Sequence, residues 1–405
     1  MRIARPLFPP HILPEMKQPR DAEYHWLPTG AAALAQMLAE IDSATQSVRL
    51  EMYIFDSSPA GLEFRQALIN ASQRGARVSV LLDGLGSATL PESFWETLRA
   101  GGGEFRWFNP IRLHRMSIRD HRKILVCDDE LAFIGGFNIA TEYSGDGVTG
   151  GWCDLGLKVH GPLVQELAAA FDEMFSCADF KHQPFARLRK SFRQKTIAMP
   201  EAKLLLGGPG RNNPLKRALR ADLKTAQEVR VISPYFLPPW KIRRELMRLA
   251  HKGVKVTLIL PGKSDVPLMR LAGQSLYRRF MAAGVALYEY QPQILHAKLF
   301  LIDDLAYVGS ANLDGRSLNI NYELMVRLSN PPLTREGGEI FARILGHCQR
   351  IEEESWRRSR TFFKRIKARL AYVLLARIDP FIADRQLRSW TMSLKKRSLL
   401  GGGNK

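Results

Sequence analysis

Only four cysteines occur in 405 residues (Cys127, Cys153, Cys177 and Cys348), far apart, with no CxxC and no paired Cys/His spacing. A structural zinc and a disulfide framework are both excluded as organising devices, and a reducing compartment is the expectation. The sequence also lacks any uninterrupted apolar run of about 18 residues, so no membrane-spanning helix is expected. Its opening, MRIARPLFPPHILPEMKQPRD, has basic residues and prolines but no apolar h-region, which argues against a secretory signal.

What the chain has in excess is positive charge. Fifty-nine Lys and Arg against 40 Asp and Glu give a net charge of +19, in a composition otherwise ordinary for a globular protein. The excess is segmental. From Arg357 to Lys405 there are 14 basic residues and two acids, Asp379 and Asp384; from Lys181 to Pro200 there are six basic residues and no acid. The remaining body is nearly neutral. A nucleic-acid-binding surface more often spreads its charge over the fold, so nucleic acid is not the expected partner, whereas basic segments suit attachment to an anionic surface.

The tail is also amphipathic. Phe363, Ile366, Leu370, Val373 and Leu374 recur at steps of three and four among Arg360, Lys364 and Lys367, and Asp379-Pro380 ends that helix. A second segment places Leu387, Trp390 and Leu394 on one face beside Arg388, Lys395, Lys396 and Arg397. Such helices either lie in a membrane interface or pack on the protein body, and the interface is the expected use.

The chain repeats itself. SVRLEMYIFDSSP (47–59) resembles EVRVISPYFLPPW (228–240), and RGARVSVLLDGLGS (74–87) resembles KGVKVTLILPGKSD (252–265). HRKILVCDDELAFIGGFN (121–138) resembles HAKLFLIDDLAYVGSAN (296–312), and the three offsets are 181, 178 and 175 residues. Helical patterns over Ala32–Ala44, Leu62–Arg74, Trp240–Lys252 and Met269–Ala283 separate the strand patterns. Strands alternating with helices make each half an α/β layered unit. The expected organisation is an irregular N-terminal arm (1–30), a first repeat (31–180), a basic linker (181–200), a second repeat (201–350) and a basic amphipathic tail (351–405).

The third repeat block carries the chemistry. Each copy reads His-x-Lys-x4-Asp: His121, Lys123 and Asp128, then His296, Lys298 and Asp303. On extended backbone, residues i and i+2 share a face, so each histidine points with its lysine. An imidazole can attack phosphorus or move a proton while the ammonium neutralises phosphate oxygens. Asp128 and Asp303 have the opposite parity, which makes them weaker candidates. Six residues separate Asp128 from Gly135 and five separate Asp303 from Gly309, a difference that two hairpin loops of unequal length explain. The glycines that follow permit close approach to an anion, and the amides of Asn138 and Asn312 can donate to phosphate oxygen.

Two HxKxxxxD blocks, each followed by GGxN or GSxN, resemble the phospholipase D superfamily and, more narrowly, its bacterial cardiolipin synthases. The similarity runs from about residue 30 to 350 and includes LLDGLGS, WCDLGLKVHGP and GSANLDGRSLNINYE in order. It implies two tandem α/β sandwiches related by a pseudo-twofold, with both motifs in one cleft. It also implies a double displacement through a phosphohistidine, without metal or other cofactor. Family enzymes orient each imidazole with an acid downstream of its motif, positions held here by Asp154 and Glu323. The resemblance further implies a phosphate contact from Ser310, whose place in the first copy is taken by Gly136.

The expected activity is therefore phosphatidyl transfer from phosphatidylglycerol, with His121 as nucleophile, His296 as acid and then base, and anionic phospholipid as partner. The expected location is peripheral, on the cytoplasmic face of a bacterial cell membrane. Hydrolysis, transfer to another alcohol, and nucleic-acid cleavage by a superfamily nuclease use the same residues and stay open. A non-catalytic scaffold would need neither histidine.

Overall fold

The computed structural model describes residues 22–110, 117–178, 194–210 and 212–378. Most of the N-terminal arm, most of the basic linker, His114 and the tail segment bearing Leu387, Trp390 and Leu394 lie outside the described residues.

Two mixed sheets form the framework. The first joins β1 (Glu23–Leu27), β2 (Ser47–Met52), β3 (Arg77–Asp83), β4 (Glu104–Phe108), β5 (Ile124–Cys127), β6 (Leu131–Gly135) and β7 (Gly156–His160), in the order β1-β7-β6-β5-β2-β3-β4. The second joins β8 (Lys195–Ala198), β9 (Ala202–Gly207), β10 (Glu228–Ile232), β11 (Lys255–Pro261), β12 (Ala286–Tyr290), β13 (Leu299–Ile302), β14 (Leu305–Gly309), β15 (Glu323–Leu328) and β16 (Cys348–Arg350). Its order, β16-β12-β11-β10-β13-β14-β15-β9-β8, repeats that of the first sheet with one strand added at each edge. This is the tandem α/β architecture the repeats imply. Parallel pairs β2–β3 and β3–β4 are joined by helical crossovers, while β5–β6 and β13–β14 are antiparallel hairpins.

Local chemistry fixes the helix starts. Thr29 and Ser58 cap Gly30–Ser43 and Pro59–Gln73 by accepting from Ala32 N and Gly61 N. Among the described residues proline opens five helices, at Pro59, Pro162, Pro214, Pro267 and Pro331, where its missing N–H costs nothing. The helix expected over 269–283 is two shorter ones, Pro267–Gln274 and Tyr277–Ala282.

Each sheet has an outer apolar layer of its own. One is built on Leu34, Leu68, Val80 and Trp95, the other on Leu246, Leu258, Phe280 and Tyr307. The inner faces share a third core. There the helices Pro162–Cys177 and Pro331–Leu345 supply Leu167, Phe171, Ile340 and Phe341 between strands of both halves. Burying that layer holds the two sheets, and with them the two motifs, in fixed register.

Two boundary expectations change, and the tail keeps its stripe exposed. Residues 23–27 are not an irregular arm but an edge strand paired antiparallel to β7. Within the basic linker, Lys195–Ala198 pairs with β9. In the tail, the helix Phe362–Val373 buries Ala368 and Ala371, while Phe363 and Leu370 of the apolar stripe face outward.

Candidate active site

His121 and His296 sit on extended backbone just before β5 and β13, which begin at Ile124 and Leu299. Each segment is tied to the opposite half. His121 N donates to Tyr322 O at 2.9 Å, and His296 N donates to Cys153 O at 2.7 Å. Residues 322 and 153 directly precede Glu323 and Asp154, so the same backbone contact that joins the halves delivers an acid from one to the imidazole of the other.

The resulting pairs are crossed. His121 Nδ1 lies 3.1 Å from Glu323 Oε2, and His296 Nδ1 lies 2.6 Å from Asp154 Oδ2. The acid downstream of each motif thus serves the other motif's histidine, which corrects the simpler expectation of pairing within a repeat. Sequence order carries no signal of this, because it depends on how the halves meet.

The lysines complete the cluster. Lys123 Nζ donates to His121 O at 2.7 Å and stands 5.1 Å from the Tyr53 ring, which also packs edge-on against His121. Lys298 Nζ lies 2.8 Å from His296 Nδ1 and 3.1 Å from its Nε2. Tyr143 and Trp152 pack against the His296 ring. Tyr53 is thus a wall of the cleft. Tyr143 lacked any pattern to mark it, whereas Trp152 opens the WCDLGLKVHGP segment.

Burial dominates the electrostatics. It lowers His121 to about 4, with Glu323 pulling upward and Lys123 pushing further down. His296 is lowered by burial and by Lys298 against the opposing pull of Asp154. Lys123 falls to about 7 and Lys298 to about 8, both chiefly because burial disfavours the ammonium. Burial works to raise Asp154 and Glu323, yet the neighbouring lysines and imidazoles hold both below the usual carboxylate range. Neutral imidazoles beside ionised acids are the outcome at neutral pH.

Behind His121 lies a charged support that His296 lacks. Arg122, the middle residue of HRK, donates to both carboxylate oxygens of Glu51 at 2.6 and 2.8 Å. Asp83 accepts from Asp120 N at 2.9 Å and from Arg119 at 3.3 Å. The positions matching Glu51, Asp83, Arg119, Asp120 and Arg122 in the second half are Ile232, Pro261, Ile294, Leu295 and Ala297, none of them charged.

Four predicted residues fall elsewhere. Asp128 and Asp303 are not in the cluster; they sit in the hairpin turns at the far ends of β5 and β13. Asp128 accepts from the backbone N–H groups of Thr45, Gln46 and Ser47, and Asp303 from those of Gln227 and Glu228. Ser310 does not offer its hydroxyl to the cleft, since Oγ donates to Glu323 Oε2 at 2.5 Å and accepts from Leu324 N. The Asn138 amide is spent on Ile54 N and the Tyr143 hydroxyl. Asn312 is different: its buried Oδ1 has no partner among the described residues.

Fold and site define a phospholipase D-type protein, with duplicated His/Lys pairs converging between two related sheets. Comparison with known proteins narrows the class. The family model for "Cardiolipin synthase, PLD-like domain" matches residues 37–175 and 219–345, and the chain belongs to that family. Among its relatives, cardiolipin synthase B of Escherichia coli K12 is 32% identical over 83% of both chains. Cardiolipin synthase 1 of Bacillus anthracis is 30% identical over 88% of this chain and 72% of its own. A crystal structure of phosphatidylserine synthase from Haemophilus influenzae shares the fold, with a TM-score of 0.73, 16% identity and coverage of 89% of this chain and 94% of that one. The chain is therefore an enzyme of the phospholipase D-like phosphatidyltransferase class.

Proposed function

We propose that this enzyme makes cardiolipin from two molecules of phosphatidylglycerol and releases glycerol. The observation that carries the reading is the crossed pair of contacts, His121 to Glu323 and His296 to Asp154, which sets two oriented imidazoles around one place for a phosphodiester.

His121 is the nucleophile. Its Nδ1 faces Glu323, leaving Nε2 to attack phosphorus, and its low proton affinity keeps it neutral. The P–O bond to glycerol breaks as His296, which takes up a proton once the anionic phosphodiester is bound beside it, gives that proton to the departing oxygen. Asp154 supports that imidazolium from 2.6 Å. In the second step His296 takes a proton from a hydroxyl of another phosphatidylglycerol, the alkoxide oxygen bonds to phosphorus, and the phosphohistidine bond breaks. Lys123 and Lys298 offset charge on the non-bridging oxygens in both steps. Asn312 can turn its amide to the same oxygens, whereas Asn138 and Ser310 act indirectly through Tyr143 and Glu323. No step calls for a metal or another cofactor.

The same reading makes the protein peripheral, on the cytoplasmic face of a bacterial cell membrane. Among the described residues no helix is long and apolar enough to cross a bilayer, and the four cysteines are free, which suits a reducing compartment.

The test is to incubate purified protein with phosphatidylglycerol in detergent, with a chelator present, and to analyse lipids and glycerol. Cardiolipin and glycerol in equal amounts are expected, with none from His121→Ala. Phosphatidic acid as the main product would replace transfer by hydrolysis, and native turnover by the variant would overturn the nucleophile assignment.

A further inference from the structure

Among the described residues, the large exposed apolar side chains other than Leu62 belong to the second half and the helix that follows it. Phe362 and Phe363 are 70% and 74% exposed and Leu370 is 64% exposed, while the same helix buries only Ala368 and Ala371. That helix is fixed to the body. It packs on Pro267–Gln274, Arg360 donates to Gln274 Oε1, and Arg243 donates to the Tyr372 hydroxyl at 3.0 Å. The body elements it touches continue the surface, with Trp240 55% exposed and Leu268 39% exposed.

Cations frame this ridge. Lys364, Arg365, Lys367 and Arg369 are all exposed, and no acid occurs between Arg357 and Ile378. Arg244 lies over the Trp240 ring at 4.9 Å. The surface also adjoins the cleft. Val266 leads into Pro267–Gln274, and its neighbour Asp265 accepts from the Tyr235 hydroxyl at 2.5 Å and is near enough to Lys298 to favour its ammonium.

We propose that the outer face of Phe362–Val373, together with Trp240 and Leu268 of the body, is one surface that docks on an anionic phospholipid bilayer and sets the cleft mouth at the headgroup layer. The placement of the cleft rests on the phosphatidyl-transfer reading; the docking surface itself does not. An exposed run of aromatic and aliphatic side chains flanked by ammonium and guanidinium groups matches a bilayer interface, where apolar groups enter the acyl boundary and cations meet phosphate. A second copy of this chain fits poorly, because self-association through the ridge would set its cations against one another.

The experiment uses the full chain, sedimented with phosphatidylcholine vesicles with and without phosphatidylglycerol. The native protein is expected to bind the mixed vesicles and to release as salt is raised. The triple variant F362S/F363S/L370S is expected to bind about tenfold or more weakly. Trp240→Ser, with the tail intact, is expected to weaken binding by about threefold, which separates a composite surface from a tail acting alone. His121→Ala should bind as the native chain does. With phosphatidylglycerol in detergent micelles, the triple and Trp240 variants should turn over normally, since the cleft is untouched. Unchanged vesicle binding by the triple variant, or a concentration-dependent dimer that it disperses while vesicles are ignored, overturns the proposal. If phosphatidylglycerol is not the substrate, turnover is missing from every protein but the differences in vesicle binding persist.

Discussion

A missing side chain separates the two half-sites. Ser310 follows Gly309 and bonds Glu323, but the matching residue is Gly136, and a Cβ built there would stand 2.1 Å from Asp154 Oδ1. The shorter acid and the absent side chain are one solution, and the longer acid with serine is the other. Asp154 occupies the volume that the Ser310 side chain fills beside Glu323. Gly136→Ser should therefore push the Asp154 carboxylate off His296 and lower kcat by about 10- to 100-fold, with KM little changed. Adding Asp154→Glu, which copies the second half-site, should return part of the loss. Steady-state kinetics on detergent-dispersed phosphatidylglycerol reads both, and a single variant with native kcat would remove Asp154 from any role in positioning His296.

The hairpin turns show how a motif residue present in both repeats can work at a distance from the chemistry. Asp128 and Asp129 have φ of 53° and 55° and Asp303 has 51°, a left-handed conformation that aspartate tolerates better than most residues. Asp128 then holds three successive N–H groups that open β2, and these bonds keep its carboxyl below its usual range although burial opposes them. Asp128→Ala should cost about 1–3 kcal/mol of stability in denaturant titrations and leave kcat within twofold, or about 0.4 kcal/mol; a hundredfold fall in kcat in a folded variant would restore the aspartate to the reaction. Strand alternation alone had already turned both aspartates away from the histidines. The register Cys127 with Leu131, against Ile302 with Leu305, confirms turns of three and two residues as the source of the unequal spacing. The repeats and the HxK pairs were legible because they are local. The crossed acids were not, since which carboxylate meets which imidazole is decided by the shared core. Edge strands 23–27 and 195–198 were hidden by their brevity and by charged neighbours. In the tail, the stripe was visible, but the packing face centres on Ala368 and Ala371, with half-buried Tyr372 and Leu375 beside them, and no hydrophobic pattern singles out the alanines.

At the scale of the whole molecule, the buried lysines set catalysis and stability against each other as pH rises. In the unfolded chain a lysine keeps its proton to about 10.5, whereas burial lowers Lys123 to about 7 and Lys298 to about 8 in the folded enzyme. Between pH 7 and 9 the unfolded state therefore binds more protons at these positions, so stability increases with pH across that window. The effect is on the order of 2 kcal/mol for Lys123. Above about 9 the buried cysteines act in the opposite sense, because burial raises Cys127 and Cys153 above their ordinary value of 9.0 and unfolding then releases protons. Activity should fall over the same interval, since a neutral lysine no longer offsets charge on the phosphoryl oxygens. The alkaline limb of kcat/KM, which reports the free enzyme, is expected near pH 7–8 instead of near the ordinary lysine value. Urea titrations at pH 7 and 9 measure one trend and initial rates the other. Lys123→Met should flatten the stability rise, and an unchanged slope in that variant would mean that Lys123 keeps its proton in the folded cleft, leaving the alkaline limb to another group.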